Sequence, residues 1–270
     1  MNIYKRSIGS IDRRPYQNRV LDPFVDEVST LGNRLEETRP FTDSRYPARR
    51  LLDVFISVIA LVLLSPVLAI AAVLIKLESR GPVFYKQERI GLNRRTGDRR
   101  TSSRVSAENM RNDRRTGRDR RRKSEAGKPF TMYKLRTMKT DAEKNGPVLA
   151  SRNDDRITRV GRILRKTRID EMPQFINVIR GDMTLIGPRP ERSFYIRALS
   201  KDVPQFPLRL KTKPGITGLA QVESGYADTF EAMKTKLIFD LQYILKKSVL
   251  VDLAIIIKTF YVIISGRGAQ

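Results

Sequence analysis

Two adjacent carboxylates, Asp170 and Glu171, are the side chains in this sequence best suited to catalysis. Met172 and Pro173 follow them directly, and the apolar residues from Met172 onward recur at helical spacing until Gly181. This pattern predicts a helix of about ten residues from Met172, since proline suits a first turn and glycine suits the residue after the last. An N-terminus of this kind favours negative charge. The pair is therefore either a reactive centre or, more simply, the cap of a helix.

Basic side chains surround this pair in the sequence. Arg165, Lys166 and Arg168 precede it, and residues 187–190, Gly-Pro-Arg-Pro, follow the helix. A guanidinium fixed between two prolines is suited to bidentate phosphate binding, and residues 213–218 form a second rigid turn. The combination fits phosphoryl transfer, in which Arg, Lys and Mg²⁺ neutralise the phosphate oxygens. One carboxylate can then be the nucleophile and the other can hold Mg²⁺.

The residue types that are missing exclude other chemistries. The 270-residue chain contains no His, no Cys and no Trp. It therefore has no catalytic triad with a histidine base, no zinc site of thiolate and imidazole ligands, and no disulfide. Its 53 Lys and Arg residues against 29 Asp and Glu give a formal charge of +24. That charge predicts a polyanionic partner: nucleic acid, an anionic membrane surface or a phosphorylated substrate.

A membrane segment is predicted at residues 54–75, which contain no charge over 22 residues. About 20 apolar residues suffice to cross the hydrocarbon core. Ser65 and Pro66 lie in the middle of the run, where proline removes a backbone donor and favours a break. Basic residues flank both ends: Arg49 and Arg50 before it, Lys76 and Arg80 after it. The sequence leaves two alternatives, a proline-kinked transmembrane helix or a helix that re-enters the same membrane face.

The remaining segments define the organisation of the chain. Residues 1–48 are a polar, mostly irregular lead-in with eight basic and seven acidic side chains. Residues 94–126 carry 13 basic and five acidic side chains and almost no large apolar ones, which predicts a solvated, disordered insertion. Residues 230–245 predict a packed amphipathic helix, and residues 248–264 either a core helix or one lying in the membrane interface.

Several short motifs, in a fixed order, resemble the bacterial sugar transferases, small monotopic polyprenyl-phosphate hexose-1-phosphate transferases. They are Arg-Leu-Leu-Asp at 50–53, Ser65-Pro66, Gly-Pro-Val-Phe-Tyr-Lys-Gln-Glu-Arg-Ile-Gly at 81–91, Tyr-Lys-Leu-Arg-Thr-Met at 133–138, residues 165–173, Gly-Asp-Met at 181–183, and the turns 187–190 and 213–218. The resemblance covers nearly everything from Arg49 onward. Deleting residues 94–126 rejoins Asn93 to Gly127 in the family's pattern, whereas Ala220 stands where the family often has Trp.

The resemblance implies a mainly helical α+β fold. It implies a monotopic membrane protein with a broken re-entrant helix at 49–80, interrupted at Ser65 and Pro66. Residues 81–270 would then form a catalytic domain on the cytoplasmic face of the bacterial inner membrane, interrupted by 94–126. Interfacial amphipathic helices and a small β-hairpin complete the expected fold.

The resemblance also implies an activity, that of a Mg²⁺-dependent phosphotransferase. Asp170 would attack the β-phosphate of a UDP-sugar, release UMP and pass the sugar phosphate to polyprenyl phosphate in a ping-pong cycle. Glu171 would be the partner carboxylate, with Asp170 and Glu171 both near the metal. The residues expected to bind phosphate and nucleotide are Lys134, Arg136, Arg165, Arg189 and Pro190.

Two other functions account for parts of the sequence. A membrane-tethered nucleic-acid-binding protein would explain the +24 charge, but no aromatic residues are interleaved with the arginines of 94–126 to stack on bases. A catalytically dead scaffold is disfavoured by the intact Asp170 and Glu171 pair. Anionic lipids are expected partners and an oligomer is possible, whereas the sequence names neither the sugar nor the pathway.

Overall fold

Helices dominate the computed structural model, which describes residues 23–38, 41, 46–93, 127–144, 146, 154–224 and 229–265. In chain order the elements are α1 (Pro23–Glu36), α2 (Pro47–Glu78), β1 (Phe84–Ile90), β2 (Pro129–Leu135), α3 (Arg159–Lys166), α4 (Gln174–Arg180), β3 (Thr184–Ile186), α5 (Ser193–Asp202), β4 (Gly215–Thr217), α6 (Leu219–Glu223), α7 (Phe230–Lys246) and α8 (Val249–Ile264). Two 3-10 helices, Ile169–Glu171 and Phe206–Lys211, lie between them. The predicted α+β, mainly helical class is confirmed for this part of the chain.

Helix α1 lies within residues 1–48, the segment predicted to be mostly irregular, of which residues 1–22 lie outside the described residues. It packs against α7, where Val28 and Leu35 are fully buried. The Lys211 ammonium lies against the last carbonyls of the helix and donates a hydrogen bond to Thr38 O at 2.8 Å. Val28 and Leu35 are seven residues apart and so share one helix face, a signal that the high proportion of polar residues concealed.

Helix α2 is continuous for 32 residues and contains Ser65 and Pro66 within it. The structure shows no gap in the helix at this pair, and a proline inside a helix bends its axis rather than ending it. Pro66 has no N–H to give to the carbonyl of Val62, and the Ser65 hydroxyl donates to that carbonyl instead, at 2.7 Å. The carbonyl that proline leaves without its helical partner is therefore satisfied, and the helix continues. Re-entry into the membrane stays a prediction.

Helix α2 is the one helix among the described residues that is long and apolar enough to cross a membrane, and most of its side chains are exposed. Helix α8 likewise buries Ile255 and exposes Leu250, Phe260 and Ile264. An ion pair between Arg49 and Asp252 joins the N-terminal ends of these two helices. Large apolar side chains are exposed along both helices, which favours the interfacial one of the two alternatives for α8.

The predicted β-hairpin is confirmed. Strands β1 and β2 pair antiparallel, with Phe84 opposite Leu135 and Ile90 opposite Pro129. Gly91 N donates to Lys128 O at 2.8 Å just beyond the paired strands. The insertion 94–126 lies outside the described residues, but the chain enters and leaves it at adjacent positions of one hairpin.

The main core lies where α1, α5, the 3-10 helix Phe206–Lys211, α7 and α8 meet. The amphipathic helix predicted at 230–245 is confirmed as α7. Its core-facing side chains, Leu237, Leu241 and Ile244, are fully buried. The parallel pair β3 and β4 lies beside this core and carries the two rigid turns into the site.

Candidate active site

The two carboxylates lie in a 3-10 helix, Ile169–Glu171, rather than at the start of a ten-residue helix. Arg168 before them adopts a left-handed conformation, with φ of 60°. Helix α4 begins only at Gln174, and Gly181 ends it in the left-handed conformation that the sequence predicts, with φ of 84°. The expected single helix is thus split into two pieces. The left-handed backbone at Arg168, unusual for a residue with a side chain, turns the chain so that both carboxylates face inward.

Glu171 is held by two basic side chains. Its Oε1 accepts hydrogen bonds from Lys134 Nζ and from Arg189 Nη2, each at 2.6 Å, and Oε2 lies 3.4 Å from Arg189 Nη1. Burial alone would raise the pKa of this carboxyl, but Arg189 and Lys134 outweigh it and hold the pKa well below its usual range. Glu171 is therefore a permanent anion that fixes Lys134 of β2 and Arg189 beside each other.

Asp170 is as buried as Glu171, with 7% of each residue exposed, but no described residue donates a hydrogen bond to its carboxylate. Burial raises its pKa to about 6, although Lys134, Arg165 and Arg189 act in the opposite direction. Because no helix N–H binds it, the simpler interpretation of Asp170 as a cap is wrong. A carboxylate of raised basicity, without a hydrogen-bond donor and among cations, is equipped to attack phosphorus.

Three glycines bring the two rigid turns together. Thr184 of β3 pairs with Gly215 of β4, and a Cβ on Gly187 would overlap the carbonyl of Lys213. A Cβ on Gly218 would in turn overlap the carbonyl of Gly187. Only glycine allows this approach, which presents Arg189 toward the carboxylates. The sequence identified both turns but gave no sign that they form one unit.

Two arginines, Arg209 and Arg89, hold the backbone of the Arg189 turn. Arg209 Nη2 donates to Arg189 O at 3.0 Å and lies 2.7 Å from Asp240 Oδ2 on α7. Arg89 of β1 donates to Pro190 O at 3.0 Å, so Pro190 acts here through its carbonyl and rigid ring. Sequence reasoning missed Arg89, Arg209 and Asp240. Asp240 could have been noticed in the sequence, since it is a charged residue between Leu237 and Leu241 on the apolar side of the predicted helix α7.

The structure places the remaining predicted binding residues in two different settings. Arg165 of α3 lines the cavity and donates from Nε to Thr137 Oγ1 at 3.0 Å. Arg136 lies at the cavity wall, but its buried guanidinium donates to Ser79 O at 2.7 Å and to Arg80 O at 2.9 Å. These carbonyls directly follow the last residue of α2, so in the structure Arg136 caps the C-terminal end of this helix, and its role in substrate binding stays a prediction. Ser65 and Pro66 lie within α2, in its exposed apolar stretch.

A cavity of about 500 Å³ opens in front of Asp170. That volume is within the range of sites for ligands of nucleotide size. Ten of its lining residues are basic and five are acidic. The basic ones are Arg89, Lys134, Arg136, Lys139, Arg165, Arg168, Arg189, Arg192, Arg209 and Lys236. A diphosphate would be attracted to such a surface and oriented by it.

The oxygens of the carboxylate pair suit Mg²⁺ only with help from a substrate. The described residues contain no cluster of three or more metal-ligating side chains. Mg²⁺ is, however, usually bound through one or two carboxylates together with substrate phosphates. Glu171 Oε1 already accepts two hydrogen bonds, whereas Oε2 keeps a lone pair and Asp170 keeps both of its oxygens. The pair therefore fits a metal that a bound phosphate substrate helps to hold.

Several known proteins are similar to this chain over most of its length. The sequence profile of the family described as "Bacterial sugar transferase" matches residues 44–99 and 107–266. The chain is 37% identical over 222 residues to "UDP-N-acetylgalactosamine-undecaprenyl-phosphate N-acetylgalactosaminephosphotransferase" of Aeromonas hydrophila, which covers 82% of this chain and 45% of the relative. It is 38% identical over 213 residues to "UDP-glucose:undecaprenyl-phosphate glucose-1-phosphate transferase" of Caulobacter vibrioides, covering 78% and 67%.

A third relative is close to this chain in length. The chain is 34% identical over 218 residues to "Exopolysaccharide production protein PSS" of Rhizobium leguminosarum, covering 78% of this chain and 92% of the relative. It spans only about half of the Aeromonas relative. The matched ranges contain the carboxylate pair, both rigid turns, the hairpin and the apolar helix. Because the family profile covers most of the chain and these relatives share 34–38% identity with it, this chain belongs to the bacterial sugar transferase family.

Proposed function

We propose that this chain transfers a sugar-1-phosphate from a UDP-sugar to undecaprenyl phosphate, releases UMP and so initiates synthesis of a polysaccharide or glycoconjugate. The observation that carries the proposal is the unlike environment of two neighbouring carboxylates. Glu171 is fixed as an anion by Lys134 and Arg189, while Asp170 faces a basic cavity without a hydrogen-bond donor from the described residues. The substrates named for the relatives, UDP-sugars and undecaprenyl phosphate, are both phosphates.

The first step forms a bond between an Asp170 carboxylate oxygen and the β-phosphorus. The bond from that phosphorus to the bridging oxygen breaks, and UMP leaves with the bridging oxygen and its electron pair. With a pKa of about 6, roughly nine in ten Asp170 carboxylates are ionised at pH 7 and ready to attack. Arg189 and Lys134 lie where they can neutralise the phosphate oxygens as charge moves to the leaving group.

The second step returns Asp170 to its starting state. A phosphate oxygen of undecaprenyl phosphate attacks the same phosphorus, and the bond to Asp170 breaks to give undecaprenyl diphosphate sugar and a free carboxylate. Mg²⁺, held by Asp170, Glu171 and substrate phosphate, would supply further positive charge at the phosphates. The Arg189 turn, supported by Arg209 and Arg89, keeps its guanidinium in place through both steps.

The membrane location follows from the acceptor. Helices α2 and α8 present the apolar surface, and we propose that α2 re-enters the bacterial inner membrane from the cytoplasmic side. Basic residues at both ends of α2 would then lie near anionic headgroups. This arrangement brings Asp170 to the side of the membrane where nucleotide sugars are made and where the phosphate of the carrier lipid is accessible.

The test is a UMP-release assay on the full chain in vesicles that contain undecaprenyl phosphate, with Mg²⁺ and a panel of UDP-sugars. With acceptor present, we expect repeated turnover of at least one UDP-sugar. Without acceptor, we expect a single burst of at most one UMP per enzyme, together with a phosphosugar adduct on the peptide that contains Asp170. Asp170→Asn should abolish both, whereas Asp155→Asn, at an exposed position outside the cavity, should leave them unchanged. Full turnover by Asp170→Asn would refute the mechanism.

A further inference from the structure

Gln221, one of the residues that line the cavity, has a polar side-chain atom with no partner among the described residues. Gln221 of α6 donates from Nε2 to Ile216 O at 3.1 Å, which fixes the orientation of its carboxamide. Its Oε1 is buried, yet no described residue donates a hydrogen bond to it. Buried acceptors almost always have a donor. A ligand that carries a hydroxyl or an amide N–H would supply the missing one.

The position of this atom relative to the reacting phosphate follows from the packing of the two turns. A Cβ placed on Gly218 would touch Gly187 O and lie 3.5 Å from Gln221 Oε1. The acceptor is therefore beside Gly187, two residues before Arg189. Gln221 and Arg189 both line the cavity that contains Asp170.

Helix α7 adds a cation to the same wall. Met233 and Lys236 are three residues apart on one helix face, and both line the cavity. Lys236 is close enough to Arg189 for the two charges to influence each other. The α6–α7 wall, defined as Gln221, Met233 and Lys236, thus combines an acceptor, a donor and an apolar surface next to the phosphate site.

The part of the cavity lined by β1 and α5 is aromatic, unlike the α6–α7 wall. Phe84, Tyr85 and Tyr195 contribute its rings. Flat rings suit a nucleobase, whereas a hydroxyl-rich ring needs hydrogen-bond acceptors and donors. In the proposed reaction the sugar is one oxygen away from the phosphorus that Asp170 attacks. The base is separated from it by a second phosphate and a ribose, so the wall next to Arg189 is the one within reach of the sugar.

We propose that the α6–α7 wall is the sugar subsite: Gln221 Oε1 accepts a hydrogen bond from a ring hydroxyl or acetamido N–H, and Lys236 donates to sugar oxygens. Gln221 and Lys236 then determine which sugar is transferred. This inference rests on the proposed function, because it takes the phosphorus beside Asp170 to be the one that bears the sugar.

The experiment compares Gln221→Met and Lys236→Met with wild type, using UDP-glucose, UDP-galactose, UDP-N-acetylglucosamine and UDP-N-acetylgalactosamine. We expect kcat/KM for the preferred sugar to fall about 10- to 100-fold, because an acceptor or donor to that sugar is lost. The ratio of kcat/KM between the preferred sugar and its 4-epimer should change at least about tenfold in one variant. The inhibition constant of UDP, which has no sugar ring beyond its ribose, should stay within about threefold of wild type. Gln242→Met is the matched control, since Gln242 faces Glu27 of α1.

Different results identify different failures. If wild type releases no UMP from any nucleotide sugar, the proposed function fails and the subsite fails with it. If wild type is active but both variants keep the wild-type sugar ratios, or weaken UDP inhibition as much as turnover, the subsite assignment alone is overturned. Should Gln221→Met unfold at the assay temperature, Lys236→Met decides the question by the same two measurements.

Discussion

Replacing Asp170 by asparagine should make the protein inactive and more stable at the same time. An ordinary aspartate has a pKa of 3.8, and burial raises that of Asp170 to about 6. The folded protein therefore binds the proton more tightly than the unfolded chain, so ionisation of Asp170 destabilises the fold as the pH rises from about 4 through 6. Each tenfold change in proton affinity corresponds to about 1.4 kcal/mol, so at pH 7 the ionised carboxylate costs on the order of 3 kcal/mol.

An asparagine side chain cannot ionise, so the Asp170→Asn variant should recover up to this amount at pH 7.5. For a chain of this size about 3 kcal/mol corresponds to a rise in Tm of roughly 6 to 12 °C. The gain should shrink as the pH is lowered and vanish near pH 4, where wild-type Asp170 is protonated as well. The assay is thermal unfolding of both proteins in the same detergent micelles at several pH values.

Glu171→Gln is the matched control, with the opposite sign. Because Lys134 and Arg189 hold the pKa of Glu171 well below its usual range, the charge stabilises the fold above the unfolded pKa, and that stability is lost as the pH falls. Removing it leaves two cations without their partner, which typically costs about 3–5 kcal/mol for a buried ion pair. If Asp170→Asn lowered Tm at pH 7.5 as Glu171→Gln does, the assignment of unlike environments to the two carboxylates would be refuted.

Four further outcomes follow from the structure. The rate constant of the UMP burst should fall about tenfold per pH unit below pH 5, since only ionised Asp170 attacks. A burst rate that is constant from pH 4 to 8 would contradict this. Arg136→Gln should lower the free energy of unfolding by about 1–3 kcal/mol through loss of the α2 cap, while KM for the UDP-sugar changes less than about threefold. Gly187→Ala should lower turnover at least about 100-fold, measured by UMP release, because its Cβ would separate β3 from β4 and displace Arg189. Joining Asn93 to Gly127 should leave UMP turnover within about threefold, and complete loss of activity would show that residues 94–126 belong to the site.

Much of the fold follows from local patterns, and the failures have physical causes. The hairpin was expected from the family resemblance, whereas α7 and the left-handed end of α4 at Gly181 were predictable because spacing and glycine chemistry act over a few residues. The continuity of α2 through Pro66 was not, because the Ser65 hydroxyl replaces the missing donor. Helix α1 was hidden by its polar residues, since its stability comes from packing on α7, a contact between segments some 200 residues apart in the chain.

The residues of the site likewise fall into those that the sequence reveals and those that it does not. Asp170, Glu171, Lys134 and Arg189 could be found from motif and resemblance, because each carries chemistry in its own residue type. Arg136 could not be separated from them, since a guanidinium that caps a helix and one that binds phosphate look the same in a sequence. The supports of the Arg189 turn, such as Arg209 and its partner Asp240, become visible only when distant segments are packed together.

The contacts at the two ends of α2 connect the apolar surface to the phosphate site without a flexible linker. Near the N-terminal end, Asp53 accepts a hydrogen bond from Thr184 Oγ1 at 2.5 Å, and Thr184 begins the strand that leads into the Arg189 turn. At the C-terminal end, the Arg136 cap lies two residues after Lys134. Both cations that hold Glu171 are thus within five residues of a contact with α2. In the proposed reaction the second substrate is anchored in lipid, and these contacts would hold Asp170 at a fixed height above the apolar surface, where the carrier phosphate would meet it.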